Sequence, residues 1–347
     1  MRKAKILLGC LLLTSVFISL VTGCSNGSNE KADTRSAGSD QLVIHTMGPG
    51  TWPYVSSETL TPYFKEVLPE GFQIEKSPIA TGDISGVYLL REKQGDLTMV
   101  SDLPAEWVWD GKPYPNIDKE YQQFRKLLQV DSYGGIGFLV SRKIVEENGF
   151  ETVGDLLTAD VPLTIATLPA GSSSLIMTEQ IMKGYGIDSL ETFESAGNTV
   201  LQGGTQDIVK YIRDRQADVY AGLIVGYNFP MVEEMTTSID MVILPFEQDK
   251  LEQISDEFGF HSFTIPENSY KGMTNDTTIL GLGGYIIVRE DMSDAIAYDL
   301  TKAMYENWSE IQQSDPYFSI TEMHFRETVV PFHQGAEKYL KEIGELE

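Results

Sequence analysis

Cysteine is nearly absent: the 347 residues hold two, Cys10 and Cys24. Beyond Cys24 the chain can form neither a disulfide nor a thiolate site, so its body must hold together by core packing. Cations are also scarce, with 26 Lys and Arg against 51 Asp and Glu for a formal net charge of −25, which argues against a nucleic-acid partner. That acidity serves solubility and does not by itself make a ligand cationic. After Val21 no apolar run is long enough to span a bilayer. His45, His261, His324 and His333 include no pair at metal-ligand spacing, and no Gly-x-Ser-x-Gly elbow occurs. Gly281-Leu282-Gly283-Gly284 precedes a predicted strand, whereas phosphate loops follow one, so it reads as a hinge. No catalytic residue, metal or cofactor is therefore expected, and the chain reads as a binding protein; a hydrolase with a dispersed triad is the alternative. No repeat of fixed period exists.

What is present begins with Arg2, Lys3 and Lys5 ahead of an apolar run from Ile6 to Val21 that closes on Val21-Thr22-Gly23-Cys24. Basic end, short run and small residues before a Cys predict a lipoprotein signal over residues 1–23, cleaved before Cys24, whose sulfur takes the lipid. Cleavage removes three cations and no acids, taking the charge from −25 to −28. Residues 24–41 are polar and lack aromatics, as a flexible tether does. The expected location is the extracytoplasmic face of the cell membrane, held by lipid.

The remaining chain, with 41% hydrophobic residues, is long enough for two globular lobes. Val161 to Met182 reads as a buried strand, a Pro169-Ala170-Gly171 break, and a helix that Ser172 caps. A helix N-terminus at the end of a strand offers unpaired N–H groups and positive potential to an anion, and Ser172, Ser173 and Ser174 add hydroxyl donors. The bland alternative is an ordinary capped loop. The same pattern occurs earlier: a strand at Leu42–Met47, a loop at 48–54, a helix from about Ser56 to Val67, then a helix from Ile84 to Gln94 and a strand at Asp96–Ser101. Two strands are predicted at Phe124–Val130 and Gly135–Ser141, further strands at Val219–Val225 and His261–Ile265, another at Gly283–Val288, and one long helix from Ser293 to about Gln312. Alternating strands and helices predict an α/β fold with parallel sheets, and the loops after Met47, Ser101, Thr167 and Val225 should line one groove.

Five stretches carry a resemblance in order: IHTMGPGTWPYVSSETL, GDLTMVSDLPAEWVWDG, LPAGSSSLIMTEQIMKGYGI, RDRQADVYAGLIVGYNFPMVEEM and FTIPENSYKGMTNDTTILGLGGYIIVREDMSDAIAYDLTKAMYEN. Together with the lipobox and the late PFHQGAEKYLKEIG, they resemble the TAXI-type solute receptors of TRAP transporters. The resemblance implies a type II periplasmic binding protein fold: two lobes, each a mostly parallel sheet flanked by helices, with a ligand cleft between them. Lobe 1 would comprise 42–135 and the return segment 285–347, lobe 2 136–284, with crossings near Ser132–Ser141 and Leu280–Val288. It further implies capture of a small carboxylate, an amino acid such as glutamate or a dicarboxylate, for a TRAP-type membrane permease. The residues carried over are Gly50, Thr51 and Tyr54, then Ala170, Gly171, Ser172 and Ser173, then Gly226 and Tyr227. Pro49, Trp52 and Pro53 depart from the family's Gly-rich first loop, Ser101-Asp102-Leu103 from its Gln-Ser-Asp run, and Ser85-Gly86 from its Glu-Asn pair. They leave the ligand open.

Other candidates come from their chemistry. Trp52 could stack on a ligand or pack in the core, Asp102 could bind an ammonium group or cap a helix, and Asn228 could pair with an amino acid or hold a turn. Tyr270 could reach the ligand from near the hinge. Trp107, Trp109 and Tyr114, in an insertion over 103–123, read as a local core. The receptor is expected to be a monomer whose closure on ligand about the crossing strands signals the permease. An ABC importer receptor and a sensor are the alternatives to TRAP delivery.

Overall fold

The computed structural model describes residues 40–114, 117–226, 229–319 and 321–347. The lipobox with Cys24, and Tyr227 and Asn228, lie outside the described residues. In chain order the first part comprises β1 (Gln41–His45), α1 (Trp52–Val67), β2 (Gln73–Ser77), α2 (Asp83–Arg91), β3 (Leu97–Ser101), α3 (Asp102–Asp110) and β4 (Phe124–Ser141). The middle comprises α4 (Arg142–Asn148), α5 (Val153–Leu157), β5 (Thr164–Thr167), α6 (Ser173–Gly184), α7 (Leu190–Ser195), β6 (Thr199–Gln202), α8 (Thr205–Arg213), β7 (Val219–Val225), α9 (Pro230–Ser238), β8 (Met241–Ile243), α10 (Gln248–Phe258) and β9 (His261–Ile265). The chain returns through β10 (Thr277–Arg289), α11 (Asp294–Glu306), α12 (Trp308–Ser314), β11 (Met323–His324) and α13 (Gln334–Glu342).

The strands form one sheet in the order β2-β1-β3-β10-β4-β7-β5-β6, with β9 on β10 and with β8 and β11 on β4. Its two ends are parallel, β2-β1-β3 on one side and β7-β5-β6 on the other, as alternating strands and helices require. The centre corrects the expectation of parallel sheets: β3 with β10, β10 with β4 and β4 with β7 pair antiparallel. The long strands cause this. β4 pairs with β10 over most of its length and then with β7, while β10 pairs with β3 at one end and β9 at the other. They tie the two half-sheets together.

Several boundaries move for identifiable reasons. The two strands expected at 124–130 and 135–141 are one strand, because Gly134 and Gly135 stay in register with Leu282 and Gly281 instead of forming a turn. α1 starts at Trp52, not Ser56, since Pro53 suits the first turn and Thr51 is extended as its N-cap. Trp52 and Tyr54 are therefore helical. The stretch after Ser101 opens with α3, which ends on the left-handed Gly111. The single helix expected at 293–312 breaks at Asn307, whose amide donates to the Ala303 carbonyl at 2.8 Å. The cap that sequence placed on α6 is present: Ser172 Oγ accepts from the Leu175 N–H at 3.2 Å.

The core is continuous across the sheet. α6 buries nearly its whole length, with Leu175, Ile176, Met177, Ile181 and Met182 in the core, as a helix flanking a parallel sheet does. α8 is amphipathic, burying Ile208, Val209 and Ile212 and exposing its charges. Trp107 is buried against Tyr114 with ring centroids 4.3 Å apart, so this aromatic cluster is local core. Among the described residues no helix is long and apolar enough to cross a membrane.

Candidate functional site

The carboxyl ends of β1, β3, β5 and β7 converge, and their loops surround a cavity of about 120 Å³. After β1 come Met47, Gly50, Thr51 and Trp52; β3 ends on Ser101; Leu168, Ser174 and Met177 follow β5; Phe229 and Met231 follow β7. Asp83, Tyr133, Thr205, Tyr220, Leu223, Leu282 and Tyr317 complete the wall. Of the four loops expected to share a groove, those after β1, β5 and β7 reach this cavity, whereas after β3 only the strand's last residue, Ser101, does. Both ends of the sheet contribute, so a bound solute would touch both halves at once.

The wall is largely apolar and aromatic. Trp52 stacks on Tyr133 with centroids 4.2 Å apart and stands edge-on to Phe318 at 6.2 Å. Tyr317 packs against Tyr133 and Phe229. Gly284 makes room for the Trp52 ring: a Cβ there would overlap it. The tyrosine hydroxyls are engaged at their edges, Tyr317 donating to the Gly50 carbonyl at 2.6 Å, Tyr220 to the Leu223 carbonyl at 3.0 Å, and Tyr133 pairing with Ser101 Oγ at 2.7 Å. What these residues offer a solute is hydrocarbon and ring surface.

Polar groups are few. Asp83, in the first turn of α2 and 7% exposed, accepts from Ser173 Oγ at 2.6 Å and Ser101 Oγ at 3.1 Å on Oδ2. Its Oδ1 has the Ser101 N–H at 3.4 Å. Burial pushes this carboxyl above the usual carboxylate range, while the hydroxyls of Ser173 and Ser101 pull it back. Ser174 Oγ and Trp52 Nε1 are buried without a hydrogen-bond partner among the described residues. No Lys or Arg lines the cavity among the described residues. No group of three or more His, Cys, Asp or Glu among them could hold a metal ion.

Of the residues singled out from sequence, Gly50, Thr51 and Trp52 line the cavity, and Ser173 borders it through Asp83. Ala170, Gly171, Ser172, Tyr54 and Gly226 do not line it. Ser172 spends its hydroxyl on the α6 cap, and the Ala170 N–H is taken by Gln202 Oε1 at 3.1 Å. Asp102 is buried outside the lining, where Oδ1 accepts from the Leu103 N–H and Oδ2 pairs with His261 Nε2, both at 2.8 Å. Neither sequence reading fits it: the N-cap of α3 is Ser101, Asp102 is the first helical residue, and it does not line the cavity. Tyr270 lies behind the loop after β7, donating to the Val225 carbonyl at 2.6 Å and accepting from the Phe229 N–H at 3.4 Å. It therefore does not reach the cavity.

Sequence reasoning missed Asp83, Tyr133, Tyr220, Phe229 and Tyr317; Ser174, offered from sequence as one of three hydroxyl donors, does line the cavity. Asp83 carried a readable signal, an acidic residue opening a helix after Thr81-Gly82. The tyrosines come from β4, β7 and the segment after α12, whose convergence no local pattern announces.

The fold is shared with proteins of very different sequence. The solved structure of the periplasmic binding protein BugD is 12% identical over 88% of this chain and 99% of that one, with a TM-score of 0.51. MatC from Rhodopseudomonas palustris, solved with bound malate, is 12% identical over 87% and 97%, with a TM-score of 0.50. A periplasmic transporter is 11% identical over 88% and 93%, also at 0.50. At such identities the likeness is one of fold, an α/β mixed sheet with helices of the type II periplasmic binding protein kind. No curated protein matches the sequence. Residues 44–344, almost everything after the polar N-terminal stretch, match one family description, and on that match the chain belongs to the NMT1-like family.

Proposed function

We propose that this protein is an extracytoplasmic solute receptor of the TAXI type, anchored by lipid on Cys24, which captures a small carboxylate-bearing metabolite and delivers it to a TRAP-type permease. One observation carries the reading: loops from both ends of the sheet close on a single apolar cavity at the carboxyl ends of the strands, where solutes bind in open α/β sheets. Malate in MatC, on the same fold, supports a small organic acid as ligand. The first lobe would be 42–135 with 285–347 and the second 136–284, rotating about β4 and β10. The role is binding, not catalysis.

Thermal-shift titration of the full-length protein in detergent against amino acids and dicarboxylates tests the receptor role. A specific compound should raise the melting temperature, since a ligand at a hundredfold its Kd stabilises by about 2.7 kcal/mol. Absence of any shift across the panel counts against it. Cys24→Ala should abolish lipid labelling and release the protein from membranes; retention there would refute the anchor.

A further inference from the structure

We propose that Asp83 is an ammonium-binding subsite and that the solute is a zwitterion with an apolar body, an amino acid of the leucine, methionine or phenylalanine kind and not a dicarboxylate. This inference rests on the receptor reading above.

The charge in the cavity wall is negative. Asp83 is the one carboxylate among the lining residues, with no Lys or Arg among those described. A buried carboxylate is normally paired with a cation or bound to a metal, because leaving it alone in a low-dielectric site is costly. Here its neighbours are neutral donors, concentrated on Oδ2, while Oδ1 has a single long contact. A carboxylate can accept about four hydrogen bonds, so Asp83 retains acceptor capacity at the cavity wall. An ammonium group supplies both the missing charge and the missing donors. A dicarboxylate would bring two more negative charges beside Asp83 with no basic side chain to offset them.

The other half of the head group is also provided for. Ser174 Oγ and Trp52 Nε1 are unpartnered donors, and their residues are 9% and 3% exposed. Each lies in the first turn of a long helix, α6 and α1, where backbone N–H groups and the macrodipole favour negative charge. Ser174 adjoins Ser173, which serves Asp83. A donor one residue along from the serine that contacts Asp83 at 2.6 Å suits the adjacent ammonium and carboxylate of an α-amino acid. The rest of the wall, including Met177, Leu223, Phe229 and Met231, offers no charge to a side chain. It suits a hydrocarbon, thioether or aromatic group.

Calorimetric titration of the full-length protein in detergent separates the parts. The panel is L-leucine, L-methionine, L-phenylalanine, L-glutamate, malate, 4-methylpentanoate, which is leucine with hydrogen in place of its ammonium, and 3-methylbutan-1-amine, which lacks the carboxylate. An apolar amino acid should bind about tenfold or more tightly than the desamino acid, the amine, glutamate and malate, as loss of a charge-assisted hydrogen bond implies. Asp83→Asn should weaken the amino acid about tenfold or more and leave 4-methylpentanoate unchanged, without lowering the melting temperature of the ligand-free protein. Malate, glutamate or 4-methylpentanoate binding as tightly as leucine, or an Asp83→Asn protein with unaltered leucine affinity, overturns the subsite and leaves the receptor standing. The ligand series needs no variant, so it decides even if Asp83→Asn misfolds. A protein that binds none of the panel overturns both readings.

Discussion

Lys126 and Asp83 are both buried ionisable groups, and their surroundings differ in kind. Lys126, on β4 and fully buried, donates to Gln129 Oε1 at 3.0 Å, the Arg326 carbonyl at 2.9 Å and Thr328 Oγ1 at 2.9 Å, with the Phe332 ring 4.3 Å away. An ammonium has three donors, and all three are used. Asp83 has its contacts mainly on one oxygen and faces a cavity. A charge whose hydrogen bonds are complete belongs to the architecture; one left open toward a cavity is where a ligand can add something.

The largest effect should come from breaking the complete set. Lys126→Ala leaves three oxygens without their donor and opens a void, so it should cost about 3 kcal/mol or more in denaturant unfolding. Asp83→Asn removes an unpaired buried charge and should cost nothing or stabilise. A neutral Lys126→Ala would erase the contrast. Lys126 also predicts a pH slope. Burial pulls its pKa from 10.5 to about 7, so between those values the folded state binds fewer protons than the unfolded one. Stability should therefore rise with pH across that window, by up to about 1.4 kcal/mol per unit, relative to a Lys126→Met protein that lacks the group.

Next in size is the aromatic wall. Gly284→Ala would drive a methyl into the space of Trp52, and relief by moving the ring should cost about 1–3 kcal/mol. Because Trp52 is both wall and donor, ligand affinity should fall with stability. Unfolding and binding measured on the same variant check this; a stable variant with intact binding would remove Trp52 from the site.

The sequence was legible where the physics is local. Ser172 as cap, the amphipathic α8 and the strand bounds Val219–Val225 and His261–Ile265 follow from propensity, capping and spacing within one segment. The convergence of the loops after β1, β5 and β7 follows from strand alternation. The antiparallel centre was hidden because it depends on β4 and β10 meeting across more than a hundred residues. Asp83 was hidden for a related reason: an acidic first-turn residue usually serves its own helix, and its partner Ser173 lies ninety residues on. Local pattern also could not rank the three serines offered as donors, of which Ser172 spends its hydroxyl on the cap and Ser174 has no partner.

Ser172 and Ser174 can be told apart by mutation. Ser172→Ala removes the cap and should cost about 1 kcal/mol with little loss of affinity beyond that. Ser174→Ala deletes a hydroxyl that has no partner in the ligand-free protein, so stability should hold while affinity falls. Melting curves and titrations on the pair check the assignment, and the reverse pattern would return the site to the cap.

The smallest effect is expected away from the cavity, where His261 on β9 pairs with Asp102 at the start of α3, at 2.8 Å. The hydrogen bond to Asp102 raises the His261 pKa above 6.5; partial burial opposes it, Asp131 adds to it and Arg326 subtracts. The folded state thus holds its proton to higher pH than the unfolded state does. The pair's contribution is complete below 6.5 and fades as pH rises through the folded value. Since His261 is 30% exposed, solvent limits the effect to under about 1 kcal/mol. Comparing wild-type and His261→Gln unfolding at pH 5.5 and pH 8.5 should show the gap narrowing at the higher pH. A gap that widens would mean that His261 is held neutral, and the pair would then be an ordinary hydrogen bond between two segments that differ from Asp83 and Ser173 only in facing no cavity.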